Sequence, residues 1–445
     1  MSAGTLDAPR TVPFAGGPSI LGSGDLNRDG LNDLVVAFNQ SQEIGVVLGR
    51  KNGKLKRVTR YPLGDLVTSA AVADFNGDGF LDVAATFGYI PQTYKTTIGV
   101  FFGDGSGALR RGPDSFAENA SVYVAANLNG DGKVDLVGGI GYVATVLGNG
   151  DGTFDNPLIF AAGAAASLMA VGDVNGDGLD DVARPDYAKR IITILTGDAQ
   201  SVLLTRQVID VVDVLPTAAR FADANGDGAA DLIVVNQYPY DIHVYTGHGD
   251  GTFETEPIRS AGPREMSEVV DADLSGDGTT DLVVASVFAR TLEVLPGQGN
   301  GTFSPRLETS ALGDFHSVLV TDFTGDGRAD IAAVDFANST LTTIVNLGPS
   351  VSRVNASGSG NSFAIKIRGA NFDPGVRVFV GAEGVEWTNV TLAGSRTLKL
   401  KGGQALEDLF PSGMDVPIRI VDPGGWEIRT VYSAPARLAN LAMLP

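Results

Sequence analysis

Oxygen-bearing side chains recur in this chain at a spacing suited to gripping a hard cation. Seven nine-residue loops, repeating every 46 to 53 residues, place them at positions one, three, five and nine, with glycine at position six. The first loop offers Asp25, Asn27, Asp29 and Asp33, the second Asp74, Asn76, Asp78 and Asp82, and the third Asn127, Asn129, Asp131 and Asp135. The fourth offers Asp173, Asn175, Asp177 and Asp181, and the fifth Asp223, Asn225, Asp227 and Asp231. The last two offer Asp273, Ser275, Asp277 and Asp281, then Asp322, Thr324, Asp326 and Asp330. Position seven adds a backbone carbonyl from Leu31, Phe80, Lys133, Leu179, Ala229, Thr279 or Arg328.

Calcium takes six to eight oxygens in forgiving geometry, and this donor set matches it. Without an ion, carboxylates converging within a few ångströms would repel by about 1 to 4 kcal/mol per pair, so metal and fold are expected to be coupled. An EF-hand would need a glutamate at position twelve and flanking helices. Position twelve here is small or apolar, as at Val36 and Ala85, and the flanks read as strands. Asn127 removes a charge from the third loop, and Ser275 and Thr324 replace asparagine in the sixth and seventh. These three are expected to be the weaker of up to seven sites. The loops are self-contained and recur throughout, whereas a catalytic metal keeps an open position beside a base; the calcium is expected to be structural.

Such a period signals stacked supersecondary units, none able to bury its own apolar face. Each loop lies between short apolar runs, such as residues 69–73 and 83–87, that read as buried strands. A third strand ends at a glycine-rich turn, as in residues 148–154, 247–253 and 297–303, and a fourth follows. Four antiparallel strands per repeat make a propeller blade. The seventh repeat stops after its third strand at residues 345–348, while residues 4–9 match residues 152–157 of a complete blade. The amino terminus is therefore expected to supply the outer strand of blade seven and close the ring. The fold expected is all-β, a seven-bladed propeller over residues 1–349. From about residue 350 the loops cease and alternating strands between glycine and proline turns predict a small β-sandwich over residues 350–445.

The 445 residues carry a net charge of −20, and positions one, five and nine of the loops alone hold 20 aspartates. The other 32 acids match the 32 Lys and Arg, and seven divalent ions would bring the chain to −6. No Lys/Arg cluster of useful length suggests a nucleic-acid partner. Cysteine is absent, so disulfides are excluded. No apolar run reaches the length of a membrane helix, and Met1-Ser-Ala-Gly lacks a signal-peptide pattern, as expected of a chain already trimmed. Millimolar calcium fills weak sites outside the cytoplasm, so an extracellular, cell-surface or periplasmic location is expected.

These residues resemble the FG-GAP or VCBS repeats of integrin α propellers. The Asp-x-Asn-x-Asp-Gly-x-x-Asp pattern recurs across residues 1–348, and Phe14-Ala-Gly-Gly-Pro18 is similar to the stretch that names the repeat. The resemblance implies metal side chains at the matched positions and extracellular adhesion or carbohydrate recognition. The tail, with Ile367-Arg-Gly-Ala-Asn371-Phe372 and Pro423-Gly-Gly-Trp426, resembles an IPT/TIG immunoglobulin-like domain. Similar propellers also occur in polysaccharide lyases and sugar dehydratases, so an enzyme or a ligandless architectural domain stands as the alternative. With only three histidines and no catalytic motif, a monomeric, non-enzymatic module binding a glycan or protein is the leading expectation.

Ligand candidates fall on the face opposite the loops. Six residues before each loop stand Ser19, Thr68, Ser121, Ser167, Thr217, Ser267 and His316, which either cap a tight central barrel or ring its mouth; His316 is the exceptional member. Past each ninth-position aspartate come Tyr89, Tyr142, Tyr187, Tyr238, Phe288 and Phe336, suited to sugar stacking and equally to packing between blades. The loop after Asp82 is five residues longer than its counterparts and holds Tyr89, Pro91, Tyr94 and Lys95. His248 reads as a solvated turn residue and His243 as part of a third strand.

Overall fold

A computed structural model describes residues 6–433, apart from 52, 91–94, 119–122, 140–141, 161–168, 199–202, 212–213, 238–239, 264–265, 276–277, 287–289, 305–306, 348–349, 371–374, 382–383, 394–395, 411–413 and 422–426. The chain divides into two compact units: residues 8–274 with 279–345, and residues 346–445 with 1–7 and 275–278.

The first unit consists of seven four-stranded antiparallel sheets. Their innermost strands are Pro18–Gly24, Val67–Ala73, Tyr123–Ala126, Ala170–Gly172, Pro216–Ala222, Met266–Ala272 and Phe315–Thr321. Each touches the next, and the seventh touches the first, so the sheets close a seven-bladed propeller. Second strands such as Asp33–Phe38, Asp231–Asn236 and Asp330–Asp335 are buried along their whole length. That is why they read as unbroken apolar runs, sandwiched by neighbours on both faces. The cores accordingly lie between blades: Val35 and Ala37 of the first blade pack with Val83 and Ala85 of the second, and Val36 and Phe38 pack with Ala332 and Val334 of the seventh.

Closure uses the amino terminus, slightly downstream of the expected residues. Arg10–Pro13 pairs antiparallel with Thr340–Ile344, completing the seventh sheet. Leu6 forms a bridge to Asn346, the counterpart of the Gly148–Phe154 bridge in blade three. The strand proper, Arg10–Pro13, therefore follows the expected residues 4–9.

In the C-terminal unit, two four-stranded antiparallel sheets share one core. Ile365, Ile367, Leu398 and Leu400 come from one sheet and Val378, Val380, Ile418 and Ile420 from the other, while Leu406 and Phe410 in and beside the short helix Gly403–Glu407 complete it. Among the described residues no helix is long and apolar enough to cross a membrane.

Candidate functional site

The nine-residue loops join the innermost strand of each blade to the second, and they share one hydrogen-bond plan. In the first, Asp25 accepts the Asp29 and Gly30 amides, Asn27 Oδ1 accepts the Asp29 amide, and Asp29 Oδ1 accepts the Leu31 amide at 2.9 to 3.1 Å. Gly30, at φ 80°, turns the backbone so that these amides point inward. Asp74, Asp173, Asp223 and Asp322 each accept the amides of the glycines at positions four and six of their own loops. Asn76, Asn129, Asn175 and Asn225 each accept the amide of position five. The position-seven residues Phe80, Lys133, Leu179, Ala229 and Arg328 each donate their amide to position five. Thr279 is half-buried, and Asp277 lies outside the described residues.

Position nine behaves differently from the rest. Asp33, Asp82, Asp135, Asp181, Asp231, Asp281 and Asp330 are all fully buried, while position five is exposed wherever it is described. Asp33 takes the Leu26 amide on Oδ2 and the Gly49 amide on Oδ1, tying its loop to the glycine turn after the third strand. The same pair of bonds reaches Phe75 and Gly103, Leu128 and Gly148, Val174 and Gly197, Ala224 and Gly247, and Leu274 and Gly297. Position two is an apolar plug, buried in all seven loops from Leu26 to Phe323. The sequence carried that signal in plain view, since each loop has an apolar residue after its first acid.

Burial pushes Asp33 up to about 6; the Gly49 and Leu26 amides work downward, and the Asp29 and Asp25 carboxylates upward. Asp82 and Asp181 are likewise pushed up to about 6 by burial, against their amide donors and with their loop carboxylates. Three carboxylates of one loop therefore stand close enough to repel, and a divalent cation would relieve that repulsion. Among the described residues no three His, Asp or Glu side chains gather as a metal-holding set by themselves. A cation would be held by the mixed set of carboxylates, carboxamide and position-seven carbonyl, a hard-oxygen set that fits calcium.

Of the three loops expected to be weaker, the third departs from the plan at its first residue. Asn127 donates its Nδ2 to the Gly178 carbonyl at 2.7 Å and its backbone amide to Asp180 at 2.7 Å, so its carboxamide staples blade three to blade four. Thr324 is buried, and Ser275 half-buried.

Loops also stitch neighbouring blades. The position-two carbonyls of Leu26, Phe75, Val174 and Ala224 accept the amides of Gly107, Gly152, Gly251 and Gly301 from the glycine turn of the next blade. A Cβ on Gly152 would run into the Phe102 ring, which explains glycine at that approach. The first-position carbonyls of Asp322 and Asn127 accept the Asn32 and Asp180 amides of the following blades. Ordering one loop thus constrains two blades at once.

On the opposite face, His316 is exposed, 3.3 Å from Asp314 and edge-on to Phe336 at 6.2 Å. It lines a central depression of about 540 Å³ with Ser19, Thr68, Ser69, Arg220, Glu268 and Ser317. Glu268, which the sequence reading passed over, accepts the Val318 amide at 2.9 Å and is pushed up to about 7 by burial, against that amide and Arg220. Thr68 and Thr217 donate to the Thr86 and Val235 carbonyls of their own blades. Tyr187 and Phe336 are exposed and Tyr142 half-buried. Ser121, Ser167, Tyr94, Tyr238 and Phe288, and the side chains of Ser267 and Tyr89, lie outside the described residues. His243 is buried against Asp241 at 2.9 Å, and His248 is exposed near Glu254, both as expected.

Comparison with known proteins places these loops in context. The FG-GAP-like repeat model matches residues 25–85, 127–183, 223–284 and 273–333, together over half of the chain. Phosphatidylinositol-glycan-specific phospholipase D of Rattus norvegicus is similar at 29% identity, over 28% of this chain and 19% of its own; the Bos taurus protein is similar at 31%, over 26% and 17%. The chain thus spans less than a fifth of these relatives. Among solved structures, BBS1N in complex with ARL6DN has a similar fold, with a TM-score of 0.53 at 14% identity over 77% of this chain and 97% of that one. With the repeat model, the seven loops and the closed ring in agreement, the chain belongs to the FG-GAP-like repeat family.

Proposed function

We propose that this chain is a secreted or surface-exposed recognition module, a propeller stiffened by up to seven structural calcium ions that binds a glycan or protein on the face opposite its loops. The observation that carries this reading is the loop architecture. Carboxylates that repel one another sit in the same turns that hydrogen-bond adjacent blades, so a cation bound there would rigidify the ring as a whole. The millimolar calcium outside the cytoplasm supplies that ion. On the opposite face, exposed His316 and Phe336 beside the central depression, with Tyr187, offer aromatic and hydrogen-bonding contacts suited to such a ligand.

Thermal melts in millimolar calcium and in excess chelator test the metal. Ligand linkage is worth about 2.7 kcal/mol per site at a hundredfold excess over Kd, so chelation should lower Tm by many degrees. An unchanged melting curve would refute structural calcium. A glycan array probed in calcium, with His316→Ala as comparison, tests the recognition face. The likeness to phosphatidylinositol-glycan-specific phospholipase D favours a second reading, in which such repeats accompany a hydrolase. Turnover of a glycosylphosphatidylinositol substrate by this chain would establish it.

A further inference from the structure

The bases of the C-terminal unit are gathered where the linear sequence conceals them. Residues 346–445 carry 10 Lys and Arg against 8 Asp and Glu, whereas residues 1–345 carry 22 against 44. One sheet of this unit consists of Ser350–Ser357, Ala364–Ala370, Thr397–Lys401 and Val390–Leu392. Val354, Ala356, Ile365, Ile367, Leu398 and Leu400 enter the core, so the alternate residues face outward. That outer face holds Arg353, Lys366, Arg368, Lys399 and Lys401, interspersed with asparagine, serine, threonine and alanine, and no acid.

Register sharpens the pattern. Arg353 stands opposite Arg368, and Lys366 opposite Lys399. Like charges directly opposed on an antiparallel pair destabilise it, so folding does not ask for the Lys366–Lys399 opposition. Among the described residues, no carboxylate lies within ion-pair distance of Arg353, Lys366, Lys399 or Lys401. On the other sheet Arg419 also stands opposite Arg429, but Arg377 lies 4.0 Å from Glu386 and Arg419 stacks on Phe379 at 4.0 Å.

We propose that this sheet face docks an acidic polysaccharide. Adjacent strands lie about 4.8 Å apart, so a linear polyanion crossing them meets a cation at successive steps. Asn355, Ser357, Thr391 and Thr397 lie between the cations and suit sugar hydroxyls. Among the described residues the face carries no aromatic side chain on which unpaired bases could stack, and none of the large apolar groups that seat a protein in a bilayer interface.

The test passes the full chain, in millimolar calcium and at ~0.15 M salt, over immobilised heparin, polygalacturonate and neutral dextran. Retention on the sulfated or the uronic polymer, absence of retention on dextran, and weakening with added salt are expected. Lys366→Gln, Lys399→Gln and Lys401→Gln together should weaken binding by about tenfold or more, since each removes a counterion-releasing contact. Calcium bridging to the loop carboxylates would leave that variant unaffected. Arg353→Gln with Arg368→Gln decides the matter if the triple variant fails to fold. The proposal is overturned by no retention, by unchanged binding of the folded variant, by tighter binding to duplex DNA, or by a lysine-dependent dimer in sedimentation in place of binding.

Discussion

The propeller and the sandwich handle surplus charge in opposite ways. In the propeller, one aspartate from every loop is withdrawn from water, and in the first six loops it is made an acceptor, so that Asp33, Asp181 and four counterparts join a loop to a glycine turn in the same blade. In the sandwich, five cations stand on the outer side of one sheet, two pairs of them directly opposed. The first arrangement is architecture: remove the acid and buried amides lose their partners. The second is display for Arg353, Lys366, Lys399 and Lys401, which have no carboxylate within ion-pair distance among the described residues. A charge that the fold consumes and a charge that the fold only presents should therefore respond differently to substitution.

The largest effect is expected inside a loop. Asp231 accepts the Ala224, Asn225 and Gly247 amides at 3.0 to 3.1 Å and is fully buried, whereas Asp227 is exposed and accepts the Ala229 amide. With metal chelated, Asp231→Ala should cost about 3 kcal/mol or more, because buried donors are orphaned, and Asp227→Ala about 1 kcal/mol. Urea unfolding of both variants in chelator reads the difference directly. Equal losses would break the comparison, since position nine would then matter only as a metal ligand.

A half-buried acid in the lining of the central depression sharpens it through pH. Glu268 is pushed up to about 7 by burial, with the Val318 amide and Arg220 working downward. A carboxyl whose folded value lies above its unfolded value binds protons more tightly when folded. Stability is therefore fullest below the unfolded value of 4.5 and is lost as pH rises through about 7. Glu268→Gln should flatten that decline by about 2 kcal/mol once solvent screening is allowed for. Melting curves of the two proteins between pH 5 and 8 that remained parallel would place Glu268 in contact with bulk water.

Much of the propeller was legible because its signals are local and repeated. Glycine at position six, acids at fixed offsets and apolar flanks recur within a dozen residues, and seven copies fixed the number of blades. The bonds between blades were not legible: Gly152 meets Phe75, and Asn32 meets Asp322, across separations that no window spans. Asn127 read as a weakened ligand because its amide partner, Gly178, lies in the next repeat. The basic face escaped for a related reason. Alternation divides Arg353, Lys366, Arg368, Lys399 and Lys401 among three strands, and only register brings them together, so a search for a contiguous Lys/Arg run passes over them.

The smallest effect has the opposite sign. Lys399 is exposed, stands opposite Lys366 on one neighbouring strand and opposite Thr391 on the other, and has no carboxylate within ion-pair distance among the described residues. Lys399→Thr removes one like-charge opposition and places a β-branched residue beside Thr391, both of which favour an antiparallel sheet. The variant should be more stable by about 0.5 kcal/mol and at the same time bind heparin more weakly. Denaturant unfolding monitored at Trp387, on the adjoining sheet of the same unit, reads the first quantity, and retention on the polymer reads the second. Loss of more than about 1 kcal/mol would mean that Lys399 supports the sandwich as the aspartates support the propeller. A gain in stability with a loss of binding would identify a charge retained for what it meets outside the molecule.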